Sequence, residues 1–219
     1  MRRTKILIAL IILLSCILVY KSFLGNQEKI INKNIKTVNL DVKYPQTANL
    51  KDKALQKQIN DFLYAKAFEH IKAQKFTKDE EKTISYFAIY EVAKFTSPLL
   101  SVKFDESFMF KHMAHPNNAV KSITLNLKTG KVYSLKDLFK GDFEKRLNQL
   151  IKEEVAKREP PLLTPFKGID KDQEFYLTKD SLVIYFQEYL YTCHAEGPLF
   201  IYIPYSSIKD ILRSSEISG

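Results

Sequence analysis

The chain of 219 residues carries a formal net charge of +9, with 45% hydrophobic and 12% aromatic residues and no tryptophan. This apolar content is sufficient for a packed interior and excludes an intrinsically disordered chain. Basic residues alternate with acidic ones, and the charge falls to +5 without the four basic residues that flank the N-terminal apolar run. The alternating charges exclude a nucleic-acid-binding surface. A mildly basic exterior is compatible with an anionic wall or membrane surface, and equally with an ordinary solvated surface.

The N-terminal 25 residues are predicted to be a membrane anchor or signal segment. Arg2, Arg3 and Lys5 precede an apolar run from Ile6 to Tyr20. A basic start followed by such a run directs the rest of the chain across a membrane and leaves the N-terminus in the cytoplasm. We therefore expect residues 26–219 to fold outside the cytoplasm, in a periplasm or at the cell surface, and to contact the membrane through this segment.

The sequence leaves three fates open for this segment. A bulky aromatic, Tyr20, stands where a signal peptidase requires a small residue, which favours an uncleaved, single-pass signal anchor. Leu13, Leu14, Ser15 and Cys16 resemble a lipobox, in which Cys16 would be lipidated. Cleavage without lipidation would release a free protein. Because the chain has only one further cysteine, the exported part is expected to hold no intramolecular disulfide.

The first half of the exported part, about residues 36–110, is predicted to contain one helix and several strands. An alternating strand over 37–44 is expected to end at Pro45, and Asn49 is expected to cap the helix. Further strands are expected over 84–95, 99–104 and 107–110. The helix is expected to place a set of apolar residues on one face: Leu55, Ile59, Phe62, Leu63 and Ile71.

The second half, about residues 111–212, follows a similar pattern. Gly130 is expected to provide the turn of a hairpin, and Asp142 is expected to cap a helix that ends before Pro160. Strands joined by hairpins indicate antiparallel pairing, so the fold class is α+β: antiparallel sheets packed with two main helices and a short C-terminal helix. The predicted strands are 121–127, 131–135, 174–178, 181–186 and 199–203, and the closing helix is 205–212.

Motifs in residues 44–75 and 120–212 resemble the extracytoplasmic module of RsiV-type, lysozyme-sensing anti-sigma factors and of PdaC-type peptidoglycan deacetylases. The module is a domain family of unknown function. The resemblance rests on these residues: Tyr44, Pro45, Ile59, Asn60, His115, Pro116, Leu125 to Lys131, Leu135 to Phe139, Phe175 to Thr178, Leu182 to Phe186, Glu196, Gly197 and Ile203 to Tyr205.

The resemblance implies binding rather than chemistry. Only Met1 to Lys5 precede the apolar run, and no catalytic domain follows the module before Gly219, so neither the sigma-binding segment nor the deacetylase domain is expected. We expect a membrane-tethered, non-catalytic module of the bacterial cell envelope. Its ligand would be a protein such as lysozyme or a cell-wall glycan. The alternative is an envelope hydrolase that acts on peptidoglycan.

Candidate catalytic and metal-binding residues are few. His112 and His115 could share a metal only with a third ligand such as His194, His70 or a carboxylate, and no His-Glu-x-x-His motif is present. Cys193 and His194 are adjacent, so on an extended chain their side chains point to opposite faces and cannot pair as nucleophile and base. We therefore expect no metal, no cofactor and no enzymatic activity.

The binding residues are expected in two loops, 112–118 and 188–198, because loops on a rigid scaffold carry function. Ends of neighbouring antiparallel strands can bring such loops to the same edge of a sheet. Tyrosines in the second loop could anchor a partner, whereas Tyr185, Phe200 and Tyr202 are expected in the core. The alternative is that His115 and Glu196 only hydrogen-bond the loop backbones. The residues expected to border one surface are His115, Asn117, Tyr189, Tyr191, His194 and Glu196.

Overall fold

The computed structural model describes residues 27–214 and residue 217. The predictions of an anchor, of lipidation at Cys16 and of cleavage concern residues outside this part. Within the described residues no helix has the length and apolarity needed to span a membrane.

Two β-sheets form the centre of the molecule. The larger sheet has five strands in the order β1-β2-β3-β4-β5, and the smaller has three in the order β6-β7-β8. All neighbours pair antiparallel except β2 and β3, which run parallel over a short stretch from Leu40 to Val42 on β2. The strands are β1 (Lys29–Lys36), β2 (Leu40–Ala48), β3 (Ser85–Thr96), β4 (Leu99–Met109), β5 (Asn117–Asn126), β6 (Phe175–Leu177), β7 (Ser181–Phe186) and β8 (Leu199–Pro204).

Helices cover the outer faces of the two sheets, so the layers follow the order helix, sheet, sheet, helix. The helix α1 packs Ile59 and Leu63 against the five-stranded sheet, and α4 packs Leu147 and Ile151 against the three-stranded sheet. The two sheets meet through a small cluster that includes Tyr185. The helices are α1 (Lys53–Lys66), α2 (Glu69–Lys72), α3 (Lys78–Thr83) and α4 (Glu144–Arg158). The predicted α+β fold class is confirmed.

Several strand boundaries differ from the prediction: β1 was not predicted, and β5 begins at Asn117 instead of residue 121. The strand β2 continues through Pro45 to Ala48, because its ladder with β3 ends at Val42 and the missing N–H of Pro45 falls where one side of the strand is unpaired. The segments 99–104 and 107–110 form one long strand, β4.

The hairpin predicted around Gly130 forms only in part. The glycine has the expected positive φ of 73°. Residues 131–135 make only an isolated bridge between Leu125 and Val132, because a 3₁₀ turn begins at Leu135.

The N-terminal caps of two helices and the extent of the closing helix also differ from the prediction. Asp52, not Asn49, caps α1 by accepting a hydrogen bond from Leu55 N, and Asn49 adopts a left-handed φ of 66°. The helix α4 begins after Phe143 without a side-chain cap from Asp142. The closing helix is reduced to a 3₁₀ turn over Tyr205–Ser207 because the following segment pairs its backbone with residues 138–140 instead.

One side chain of the resemblance motif has a structural role. The amide of Asn60 accepts a hydrogen bond from Thr47 N at 2.7 Å and donates one to Thr47 O at 3.1 Å. A side-chain amide offers both N–H donors and a carbonyl acceptor, so it can pair with the N–H and C=O of one residue as a neighbouring strand would. Asn60 therefore joins α1 to β2 beyond the point where β2 leaves β3.

Candidate interaction surface at two loops

Two loops meet at the edge of the five-stranded sheet formed by β5. We call residues 110–116, which connect β4 to β5, the His115 loop, and residues 187–198, which connect β7 to β8, the Tyr189 loop. Gln187 accepts a hydrogen bond from Val120 N at 3.0 Å and donates one to Val120 O at 2.6 Å. The carboxylate of Glu188 accepts another from Asn118 N at 3.3 Å. These bonds fix the start of the Tyr189 loop along β5.

Three rings from the two loops lie together, and we call them the ring stack: His115, His194 and Tyr189. The His115 and His194 rings have centroids 4.2 Å apart with planes inclined by 28°. The Tyr189 ring is nearly parallel to that of His194, with centroids 6.1 Å apart. Tyr189 is 56% exposed, and His115 is also exposed. The ring stack is therefore an accessible aromatic surface.

The backbone of Tyr189 is held in an uncommon conformation. Its φ is 69°, in the left-handed region, and its N–H donates to Thr192 O at 2.7 Å. For a residue with a side chain, this conformation costs on the order of 1–3 kcal/mol and often marks a functional position.

A buried carboxylate lies beneath the ring stack. Glu188 is 9% exposed, and His194 Nδ1 donates to its Oε2 at 2.8 Å. The other imidazole, His115, donates from Nδ1 to the carbonyl oxygen of Pro116 at 3.0 Å. Glu188 thus connects His194 to Asn118 of β5, since its other oxygen accepts from the backbone there. Glu188 was not among the residues predicted from the sequence to border this surface.

Asn117 is exposed, and its side-chain oxygen is also bonded to a buried polar network. Its Oδ1 accepts from His70 Nε2 at 2.9 Å, and His70 N donates to Glu106 Oε2 at 2.9 Å. Tyr86 OH donates to the same oxygen at 2.8 Å. Burial lowers the pKa of His70, and burial raises the pKa of Glu106 to about 7 against the bonds from Tyr86 and His70. The network secures the start of β5 to the core.

Of the remaining predicted residues, Tyr191 does not lie on the surface. It is 5% exposed, its ring contacts Phe166 and Phe186, and its hydroxyl accepts from Lys167 N at 3.2 Å. Glu196 is exposed in a tight turn, where its N–H donates to Cys193 O at 3.1 Å.

Of the three aromatic residues expected in the core, two are buried or partly buried and one is exposed. Tyr185 is buried and Phe200 is partly buried, but Tyr202 is 51% exposed, so the placement of Tyr202 in the core was wrong. It lies on β8, an edge strand of the three-stranded sheet, at a position that the five-stranded sheet does not cover.

A groove lies beside Pro116 of the His115 loop, where part of the five-stranded sheet remains exposed. Its volume is about 420 Å³, and its lining includes Pro116 together with Phe87 and Met109, which are 44% and 40% exposed. A second groove of about 240 Å³ shares Phe87 and reaches Pro198 of the Tyr189 loop. Exposed apolar side chains therefore continue from one loop to the other.

Comparison with known proteins finds a family match to part of the chain and a relative similar over most of it. Residues 136–206 match the family described as "Protein of unknown function (DUF3298)". This range contains the Tyr189 loop but not the His115 loop. The chain is 30% identical over 189 residues to the anti-sigma-V factor RsiV of Bacillus subtilis (strain 168), a match that covers 80% of this chain and 65% of that protein. The chain thus spans just under two thirds of the length of that relative.

Two solved structures share the fold. A DUF3298 family member from Bacteroides fragilis NCTC 9343 has a TM-score of 0.63 at 19% identity, over 88% of this chain and 96% of that one. A DUF3298 family protein from Pseudomonas aeruginosa PAO1 has a TM-score of 0.59 at 12% identity, over 88% and 97%. The resemblance drawn from the motifs is confirmed: the chain carries a DUF3298 domain in residues 136–206 and is similar to an RsiV anti-sigma factor over most of its length.

Proposed function

We propose that this chain is a membrane-tethered, extracytoplasmic module that binds a protein ligand through the ring stack and the adjoining groove. The observation that carries the proposal is a set of exposed side chains near the two loops: Tyr189 and His115 in the ring stack, and Phe87 of β3 and Met109 of β4 in the groove that Pro116 also lines. Hydrogen bonds between Gln187 and Val120 anchor the Tyr189 loop. Aromatic and apolar side chains on a rigid support are typical anchors of protein interfaces. The similarity to RsiV supports the choice of a protein ligand, and lysozyme is the first candidate.

The first test measures lysozyme binding to the full-length chain. Replacing Tyr189 or Phe87 with alanine is expected to weaken binding by about 2 kcal/mol or more, roughly a 30-fold rise in Kd, because each removes an exposed anchor. The matched control is Lys152→Ala, an exposed position on α4 at the opposite side of the layers. Calorimetry or surface plasmon resonance would give the Kd values, and circular dichroism would show that each variant folds.

Three results separate the alternatives. Absence of lysozyme binding by the unmodified chain would exclude that ligand. Equal binding by the two alanine variants and the unmodified chain would place the interface elsewhere. Turnover of peptidoglycan that is lost in both His115→Ala and His194→Ala would favour the envelope hydrolase, in which the His194–Glu188 pair would act as base and orienting carboxylate.

The tether is tested separately in cells. A full-length chain with a C-terminal tag is expected in the membrane fraction, with its tag digested by protease added from outside. The variant Ile12→Arg/Leu13→Arg is expected to lose this location, since each arginine in the middle of an apolar span costs about 2.5–3.5 kcal/mol. Recovery of a soluble mature form of the unmodified chain would contradict the anchor, and loss of membrane association in Cys16→Ser alone would indicate a lipoprotein.

A further inference from the structure

The described chain begins at one end of the five-stranded sheet. The carbonyl oxygen of Gln27 accepts a hydrogen bond from Asn49 Nδ2 at 3.0 Å, and Gln27 lines a pocket together with Phe95 at the end of β3. The turn over 127–130 lies beside the β3–β4 hairpin, because its first N–H donates to Pro98 O at 2.6 Å. Four segments therefore meet at this end, and we call them the basal surface: residues 27–29, 49–53, 95–98 and 127–130.

The ring stack lies at the opposite end of the same sheet. The strand β4 runs from Leu99, next to the basal surface, to Met109, where the His115 loop begins. A strand of 11 residues is about 35 Å long, since each residue adds 3.2–3.4 Å. The length of the sheet therefore separates the ring stack from the residues at which the described chain begins.

The sequence before Gln27 limits how far the basal surface can stand from a membrane. The apolar run that is predicted to be the anchor ends at Tyr20. Even a fully extended chain covers at most about 25 Å between Tyr20 and Gln27. In a tethered chain the basal surface is therefore brought close to the bilayer.

The side chains of the basal surface suit the headgroup region of a bilayer. Its lysines are exposed and outnumber its acidic residues by four to two: Lys29, Lys51, Lys53 and Lys128 against Glu28 and Asp52. The carboxylate of Asp52 is used internally, because it caps α1. On the same surface Phe95 is 39% exposed. Lysines are attracted to anionic headgroups, and an exposed phenyl ring can enter the boundary between headgroups and acyl chains.

We propose that the basal surface binds the anionic headgroups of the bilayer and so holds the five-stranded sheet upright, with the ring stack directed away from the membrane. The proposal rests on the proposed tether, which brings the basal surface to the bilayer, and adds that this surface then fixes the orientation of the domain. A domain held by its tether alone would rotate freely, and the ring stack would have no fixed height above the membrane.

The test measures the height of two positions above the bilayer in the full-length chain reconstituted into vesicles. A fluorescent unnatural amino acid replaces either Thr129 of the basal surface or His112 of the His115 loop, both of which are exposed. Energy transfer to acceptor-labelled lipid gives the height of each label. In vesicles that contain phosphatidylglycerol, we expect the label at 129 to lie about 30 Å closer to the bilayer than the label at 112. This difference is expected to shrink in phosphatidylcholine alone or at about 1 M salt, because the surface charge is then absent or screened.

The double variant Lys51→Glu/Lys128→Glu is expected to reduce the height difference in phosphatidylglycerol vesicles to its value in phosphatidylcholine. Lys78→Glu/Lys111→Glu is the matched control, because it makes the same change of charge on α3 and the His115 loop, and it is expected to keep the difference. Equal heights of the two labels in phosphatidylglycerol vesicles would overturn the proposal, as would a difference that neither salt nor the basal variant changes. Flotation of the vesicles distinguishes these results from failure of the tether: a chain that does not float with the lipid would contradict the tether, and the present proposal with it.

Discussion

Replacing Tyr191 with alanine is expected to lower the free energy of unfolding by about 3–5 kcal/mol, the usual cost of removing a buried aromatic side chain. The ring of Tyr191 fills space between Phe166 and Phe186, and it is 5% exposed. Removing it also leaves the backbone N–H of Lys167 without its acceptor. Such a loss is a large part of the stability of an ordinary domain.

Tyr189→Ala is the matched comparison, because Tyr189 lies two positions earlier in the same loop. It is 56% exposed, so its alanine variant is expected to change stability by less than about 1 kcal/mol while weakening ligand binding. Urea unfolding, followed by circular dichroism, measures the free energy of unfolding of each tyrosine variant. Equal stability of the two variants would contradict the placement of Tyr191 in the core.

This pair of tyrosines illustrates what the sequence could not provide. Within a strand, alternation assigns side chains to the two faces of a sheet, and on this basis Tyr185 was correctly placed in the interior but Tyr202, which is exposed, was placed there as well. The Tyr189 loop is neither a strand nor a helix, so its buried and exposed residues do not follow a regular repeat that could be recognised in the sequence. The left-handed backbone at Tyr189 turns its ring outwards independently of any pattern.

The two loops come together by a route that the sequence did not indicate. The His115 loop connects strands of the five-stranded sheet and the Tyr189 loop connects strands of the three-stranded sheet, so the contact between the rings of His115 and His194 comes from the packing of two sheets and not from neighbouring strand ends of one sheet. The support of these rings could not be derived from the sequence either. Glu188 reaches a backbone N–H 70 positions away, at Asn118, and an acidic residue in a loop is ordinarily expected in solvent.

The burial of the Glu106 carboxylate could not be predicted from the sequence either. Glu106 lies on β4 and is 1% exposed. Its Oε2 accepts from Tyr86 and from His70 N, while its Oε1 has no partner among the described residues. Burial raises the pKa of Glu106 from 4.5 to about 7, although the nearby Lys121 and the two hydrogen bonds act in the opposite direction and Glu69 adds to the rise.

This shift predicts a stability that depends on pH. Between pH 4.5 and about 7 the folded chain holds a proton on Glu106 that the unfolded chain has released. The free energy of unfolding therefore falls as pH rises through this window. The fall amounts to roughly 3 kcal/mol, since each pKa unit corresponds to about 1.36 kcal/mol. The contribution is fully present below pH 4.5 and is lost above about pH 7.

Glu106→Gln isolates this effect, because glutamine keeps the shape and an acceptor but cannot ionise. The free energy of unfolding of the variant should rise by roughly 3 kcal/mol relative to that of the unmodified chain as pH rises from 4.5 to 7. The lowered pKa of His70 acts in the opposite direction, since stability is lost when that ring must be protonated at low pH. His70 is present in both chains, and Glu106 is not among the groups that shift its pKa, so its contribution cancels in the difference.

The measurement is urea unfolding of both chains at several pH values between 4 and 8. Glu81→Gln, which changes an exposed carboxylate on α3, is the control and should follow the unmodified chain throughout. If the curves for Glu106→Gln and the unmodified chain stay parallel across this range, the pKa of Glu106 is the same in the folded and the unfolded chain. Its carboxylate would then need a cation nearby, and Lys121, whose charge already lowers the pKa of Glu106, is the group that could supply it.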